Sequence, residues 1–165
     1  MTEKIFRYYL ELKSLEGLKQ VKKTTEDCCV ELVNPKDFQL NKFFYKNIGK
    51  NYQWIDRLVW TDVDWTKYVS DEKLFTYILK SKDEIAGYFE LLFNKDTKEA
   101  EIAYFGILEE YFGRKLGGYL LSEAIKISFS MKCLRVKVHT CSLDHPNALA
   151  NYISRGMKVF KEEEI

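Results

Sequence analysis

The sequence predicts a mixed α/β (α+β) fold, in which helices flank a mostly antiparallel sheet. Three consecutive β-rich runs are separated only by short polar turns, and four segments carry apolar residues at helical spacing. The chain has 165 residues, the length of one ordinary domain, and shows no internal repeat or linker-like stretch. We therefore expect a single domain over residues 1–165.

The first quarter of the chain is predicted to form two strands and a helix. Apolar and polar residues alternate over residues 3–13, and residues 28–33 resemble a second strand. A helix is expected over residues 35–48, where Leu40, Phe44 and Ile48 share one face. Gly49 would cap its C-terminus.

A loop and a second helix should follow. Residues 51–57 have no clean period, which is typical of a loop or a broken helix. A second helix should begin near Asp62 or Asp64, since either side chain could cap it. Residues 74–79, 85–93 and 99–108 then predict an antiparallel meander, because the turns SKDE and NKDTK are short enough for hairpins.

The last third should contain two helices and two strands. Residues 113–131 form an amphipathic helix pattern, and Leu134, Val136 and Val138 alternate with polar residues as in a strand. Pro146 fits the first turn of a final helix that ends before Gly156. Residues 157–160 predict a short last strand.

Composition excludes several classes of protein. The 26 basic and 25 acidic residues give a net charge of +1, which does not favour a nucleic-acid partner. The four cysteines form no CxxC pair, and no apolar run is long enough for a membrane span. We therefore expect a soluble cytoplasmic protein. The run HTCSLDH does not have a standard zinc spacing, so no metal is expected.

The stretch IAYFGILEEYFGRKLGGYLL is the most informative part of the sequence. It predicts a strand, a short loop and a helix that opens with glycines at 113, 117 and 118. The first N–H groups of a helix have no partner inside it, so such a loop can bind an anion such as a diphosphate. The spacing matches neither GxxxxGK[ST] nor GxGxxG, which argues against nucleotide triphosphates and dinucleotides.

This stretch resembles motif A of the GNAT superfamily of acyl-CoA-dependent N-acetyltransferases, [QR]-x-x-G-x-[GA]. Gly117 matches its last position, whereas Phe112 and Lys115 replace the Gln or Arg and the first glycine. The run VKVHTCSLDHPNALANYISRGMKVF resembles motif B, with Tyr152 and Gly156 at its tyrosine and glycine. The strings GRKLGGYLL and VHTCSLDHPNALANY are similar to those of a bacterial subgroup of the superfamily.

The resemblance implies a GNAT-type sheet splayed in its middle, with acetyl-CoA as cosubstrate in the splay. The diphosphate would lie against the amides of residues 113–118, near cationic side chains, and the acetyl carbonyl would meet an amide near Ile107. The implied cofactor-binding residues are Ile107, Phe112, Gly113, Arg114, Lys115, Leu116, Gly117, Gly118 and His145.

An N-acetyltransferase needs a base for the acceptor amine and an acid for the leaving thiolate. Tyr152 lies where the superfamily often has its general acid. Glu90 and Glu101 are the candidate bases, directly or through water, because each is flanked by apolar residues on neighbouring strands. By strict alternation, Glu101 shares a face with Ala103 and Phe105.

The sequence leaves the acceptor and one alternative function open. Trp54 and Arg57 belong to an aromatic and charged region that could bind an amine or could form a packed lid. The amine could be a small molecule or a protein amine, and the chain could be a monomer or a homodimer. The departures at Phe112 and Lys115 leave a second hypothesis, an acyl-CoA-binding sensor or interaction module without catalysis.

Overall fold

Seven strands form one sheet in the computed structural model, which describes residues 3–23 and 27–165. Its order is β2-β3-β4-β5-β6-β1-β7, and all neighbours are antiparallel except β5 and β6. The predicted mixed, mostly antiparallel sheet is therefore confirmed. The strands are β1 (Phe6–Leu12), β2 (Cys28–Leu32), β3 (Leu74–Ser81), β4 (Glu84–Asn94), β5 (Glu99–Ile107), β6 (Arg135–Cys141) and β7 (Lys158–Glu164).

Four helices cover the sheet, and each corresponds to a predicted helix. They are α1 (Phe38–Gly49), α2 (Asp62–Val69), α3 (Leu116–Ser130) and α4 (Ala148–Ser154). The apolar face of α1 packs with Tyr88 and Leu108 in a small core on one side of the sheet. The buried face of α3 packs in a larger core with residues of β4, β5 and β6.

The ends of α1 and α2 differ from the prediction by a few residues. Asp37 caps α1, and Thr61, rather than Asp62 or Asp64, caps α2 in a capping box with Asp64. Gly49 is the last residue of α1 instead of its cap. A Cβ built on Gly49 would lie 2.4 Å from the Cβ of Trp54, so this glycine permits close packing of the following loop.

The N-terminal strand does not lie beside the meander. β1 runs between β6 and β7, with Arg7 opposite both Cys141 and Glu163. The chain then crosses α3, where Val21 N–H donates to Ser122 Oγ, before it forms β2 at the far edge. β7 is longer than the predicted residues 157–160, because its pairing with β1 continues to Glu164.

α3 begins at Leu116, three residues later than predicted. Gly113 and Lys115 have φ angles of 81° and 60°, in the left-handed region that interrupts a helix. Pro146 likewise precedes α4 rather than occupying its first turn. Gly156 follows α4 with a φ of 102°, and a Cβ there would lie 2.1 Å from Gly17 O, so only glycine fits.

Lys115→Gly should increase the free energy of unfolding by roughly 1 kcal/mol, because a left-handed conformation is strained for a residue with a Cβ. Urea denaturation would measure the change. Lys115→Ala is the matched control: alanine keeps the Cβ and should leave stability almost unchanged. Equal stability of all three proteins would contradict the left-handed conformation of residue 115.

Candidate active site

The sheet forks between β5 and β6. Their parallel pairing covers three residue pairs and ends at Glu101 opposite Lys137. Beyond that point a cavity of about 980 Å³ opens, with residues 102–107 on one wall and Val138, His139 and Cys141 on the other. The diverging edges lack strand partners across the fork, so their backbone groups are free to bind an extended ligand.

Eight of the nine residues predicted to hold the cofactor line this cavity. They are Ile107, Phe112, Gly113, Lys115, Leu116, Gly117, Gly118 and His145. The first turn of α3 thus presents its unpaired amide groups to the cavity. Arg114 is the exception, because its guanidinium lies 5.0 Å from the centre of the Tyr111 ring and lines a smaller pocket.

Arg155 also lies at this end of the cavity. A Cβ built on Gly118 would be 2.4 Å from Arg155 Nη1, so the guanidinium is against the first turn of α3. Its Nε is buried and has no hydrogen-bond partner among the described residues, and burial lowers the pKa of the side chain. A partly buried cation beside a helix N-terminus is electrostatically costly, so this place suits an anion.

Tyr152 stands between the two arms of the fork. Its buried ring lies 6.3 Å from the ring of Phe105 on β5 in an edge-to-face arrangement, and it lines the cavity. No described residue hydrogen-bonds its hydroxyl group. Burial, and then the charge of Asp144, raise the pKa of Tyr152 above its ordinary value. The group is therefore a protonated O–H donor at neutral pH.

Two contacts join the α1–α2 loop to the β6–α4 loop across the fork. The indole Nε1 of Trp54 donates to Asp144 Oδ1 at 3.3 Å. The ring of Tyr52 lies 5.6 Å from that of His145, and Phe112 packs edge-on against the same His145 ring at 5.2 Å. These contacts help to hold Trp54 in place, and Trp54 lines the cavity.

Glu90 belongs to a closed network outside the cavity wall. The carboxylate is fully buried and accepts hydrogen bonds from Arg57 Nη1 at 3.1 and 3.3 Å. Asn41 Nδ2 donates at 2.9 Å, and the Tyr68 hydroxyl donates at 2.7 Å. Both carboxylate oxygens are thus occupied. The role of Glu90 as a base stays a prediction, and the structure places its carboxylate outside the cavity wall.

Arg57 is almost completely buried and does not line the cavity. Burial disfavours its charge, but the Glu90 carboxylate together with the tyrosines around the guanidinium raises the pKa of Arg57 above its ordinary value. Burial also raises the pKa of Tyr104 to about 12. Five rings lie 4.1 to 5.7 Å from the guanidinium carbon: Tyr45, Trp60, Trp65, Tyr68 and Tyr104. Arg57 therefore anchors the loop that carries Trp54.

Glu101 lies at the base of the fork rather than in the cavity. It is half-buried, opposite Leu92 on β4 and Lys137 on β6. A bulge skips Ala103 in the pairing of β4 with β5, so the strict alternation predicted for this strand is wrong. Phe105 packs in the α3 core, whereas Tyr104 packs on the α1 side.

Sequence reasoning missed three charged residues that line the cavity: Arg7, Asp144 and Arg155. Asp144 lies in the HTCSLDH run, which the sequence analysis considered only as a metal site. Arg155 directly precedes Gly156, and the unpaired state of its Nε is visible only in three dimensions. Over residues 3–23 and 27–165, no group of three or more His, Cys, Asp or Glu side chains could hold a metal ion. No helix in these ranges is long and apolar enough to cross a membrane.

Sequence comparison identifies one family. The model of the acetyltransferase (GNAT) family matches residues 38–157, which include the α1–α2 loop, the meander, α3 and α4. No curated protein matches the chain in sequence. The match thus covers most of the chain and both walls of the cavity.

Solved structures share the fold at low sequence identity. A GCN5-related N-acetyltransferase from Sphaerobacter thermophilus superposes with a TM-score of 0.73 and 15% identity, over 99% of this chain and 51% of that one. The GCN5-related N-acetyltransferase from Kribbella flavida gives 0.68 and 12%, over 96% and 56%. This chain therefore spans about half the length of these two proteins. An aminoglycoside acetyltransferase from an uncultured soil metagenomic sample gives 0.67 and 14%, over 87% and 95%.

Glu90→Gln should lower the free energy of unfolding by about 3 kcal/mol or more, because it leaves the buried Arg57 guanidinium without its counter-charge. Urea denaturation would measure the loss. Glu123→Gln removes the half-buried partner of the exposed Lys126 and should cost less than about 0.5 kcal/mol. Similar losses in the two variants would show that the buried network does not anchor the loop.

Proposed function

Because the chain belongs to the acetyltransferase (GNAT) family, we propose that it transfers an acetyl group from acetyl-CoA to an amine acceptor by direct transfer in a ternary complex. One observation carries the proposal: the fork opens a single cavity that runs from the first turn of α3 to Tyr152 and to the loop of Trp54. A phosphate group would lie at the first turn of α3, a thioester near Tyr152, and an amine near the loop of Trp54.

The phosphate end fits this cosubstrate. The amides at the start of α3 and the unpaired guanidinium of Arg155 suit the diphosphate or another phosphate of CoA. Gly117 leaves room for a ligand, since a Cβ there would meet only Asn151 Nδ2 at 3.7 Å. The exposed Lys115 lines the same wall and can add a contact to a phosphate.

Tyr152 supplies the acid in this proposal. Its raised pKa keeps the hydroxyl protonated, and no described residue competes for its proton. The thiolate that leaves the thioester takes that proton, while a base accepts the proton of the amine nitrogen. Glu101 and Glu90 were the predicted bases; outside the cavity they could act only through water.

Two measurements separate an enzyme from a binding module without catalysis. Isothermal titration with acetyl-CoA tests binding, and release of the CoA thiol over a panel of amines tests transfer. Binding together with amine-dependent thiol release supports the enzyme. Binding without release supports the module, and absence of binding contradicts both.

Tyr152→Phe should leave acetyl-CoA affinity nearly unchanged and lower turnover by about 10²- to 10⁴-fold, the range for loss of a general acid. Titration calorimetry and the thiol-release assay would give the two values. Tyr119→Phe is the matched control, because Tyr119 is a buried tyrosine of α3 that does not line the cavity. Unaltered turnover in Tyr152→Phe would assign Tyr152 to packing.

Lys115→Ala should weaken CoA binding by about 1 to 3 kcal/mol if the ammonium contacts a phosphate, and the loss should shrink as salt is raised. Titrations of the variant with CoA and dephospho-CoA at low and high salt would measure this. A loss confined to full CoA would identify the 3′-phosphate as the contact. Affinity equal to that of the unmodified protein in every condition would exclude the contact.

A further inference from the structure

We propose that Asp144 is the catalytic carboxylate of this cavity, which binds the nitrogen of the acceptor amine and takes its proton as the amide bond forms. The inference rests on the proposed acetyl transfer, and it replaces the water relay that Glu90 or Glu101 would need. It also implies an acceptor class, an amine small enough to bring its nitrogen into the fork between Trp54 and Tyr152.

Position is the first argument. Among the described residues, Asp56 and Asp144 are the two Asp or Glu side chains that line the cavity. Asp56 is exposed in the α1–α2 loop, whereas Asp144 is half-buried in the β6–α4 loop, where it is hydrogen-bonded to the end of β6 and to Trp54. A group that exchanges a proton with a bound amine must reach it within hydrogen-bond distance or through one water. Asp144 meets this condition better than either glutamate.

The hydrogen bonds of Asp144 are the second argument. Its Oδ2 accepts from the Thr140 hydroxyl at 2.5 Å and from the Cys141 backbone N–H at 3.0 Å, which holds the carboxylate in place. Its Oδ1 accepts only the long bond of 3.3 Å from Trp54 Nε1. A carboxylate oxygen can accept two hydrogen bonds, so Oδ1 can still take one from an amine. No Lys or Arg among the described residues forms an ion pair with Asp144.

The relation to Tyr152 is the third argument. Burial is the larger cause of the raised pKa of Tyr152, and the charge of Asp144 adds to it. The carboxylate that would serve the acceptor side therefore also favours the protonated hydroxyl on the thioester side. The other titratable or charged side chains of the elements around Asp144 that line this part of the cavity are Arg7, Tyr52, Asp56, His139, Cys141 and His145.

The proposed step is balanced. The free amine attacks the thioester carbonyl carbon, a C–N bond forms, and the nitrogen loses one proton to Asp144. The C–S bond breaks with its electron pair on sulfur, and the sulfur takes the hydroxyl proton of Tyr152. The proton on Asp144 then returns to the Tyr152 oxygen through solvent. The amine and acetyl-CoA give an amide and the CoA thiol, and no other reactant is needed.

The test is Asp144→Asn, assayed with ethylamine and with its less basic analogue 2,2,2-trifluoroethylamine, which have similar size. The acetyl-CoA affinity should stay within about threefold of the unmodified protein. Turnover with ethylamine should fall by about 100-fold or more, the effect of losing a general base. The loss with trifluoroethylamine should be clearly smaller, because its more acidic nitrogen can give its proton to water. The control Asp96→Asn changes an exposed aspartate of the β4–β5 turn that does not line the cavity, and it should change turnover by less than about threefold.

The difference between the two amines is the readout that a packing defect would not give. A variant with distorted packing would lose turnover equally with both amines, which would overturn the inference. So would turnover equal to that of the unmodified protein. If the unmodified protein binds acetyl-CoA but acetylates neither amine nor any amine of the panel, the proposed function itself is wrong.

Discussion

The early end of the pairing between β5 and β6 is the constraint on which the site depends. Three residue pairs hold the two arms of the sheet together, and beyond Glu101 no strand completes their facing edges. A sheet edge in an interior is stable only if something else satisfies its backbone groups. The cavity, the exposed start of α3 and the position of Tyr152 between the arms all follow from this divergence.

Charge is distributed unevenly around the fork. In the buried ion pair of Arg57 with Glu90, both carboxylate oxygens accept hydrogen bonds, and the pair lies among aromatic rings behind the cavity wall. By contrast, Arg155 and Asp144 lie at the cavity with donors or acceptors to spare. The buried Arg57–Glu90 network therefore holds the loop of Trp54 in place, whereas the unpaired polar atoms of Arg155 and Asp144 face the cavity. Polar groups that lack hydrogen-bond partners are expected at a site where a bound ligand supplies those partners.

Local sequence patterns predicted the elements, and motifs singled out residues that line the α3 end of the cavity. The meander follows from periodicity, whereas the residues at the start of α3 and Tyr152 were identified from motifs that are contiguous in the chain. The bulge at Ala103 was not predictable, because it depends on the register between two strands. The burial of Glu90 against Arg57 was not predictable for a related reason, since an isolated acid in an apolar strand fits a base as well as the partner of a distant arginine. Only the contact between Glu90 and Arg57 in the folded protein distinguishes these two roles.

The place of β1 has a consequence for the order of folding on the ribosome. The first strand to be synthesised has its partners, β6 and β7, more than 120 residues later in the chain. The hairpins of β3, β4 and β5 can close as soon as they emerge, because their partners are neighbours. β1 can pair only after β6 and β7 have been synthesised, and until then its backbone groups have no strand partner. The arm of the fork that contains β6, β1 and β7 is therefore completed last. The cavity forms only when these strands have left the ribosomal exit tunnel.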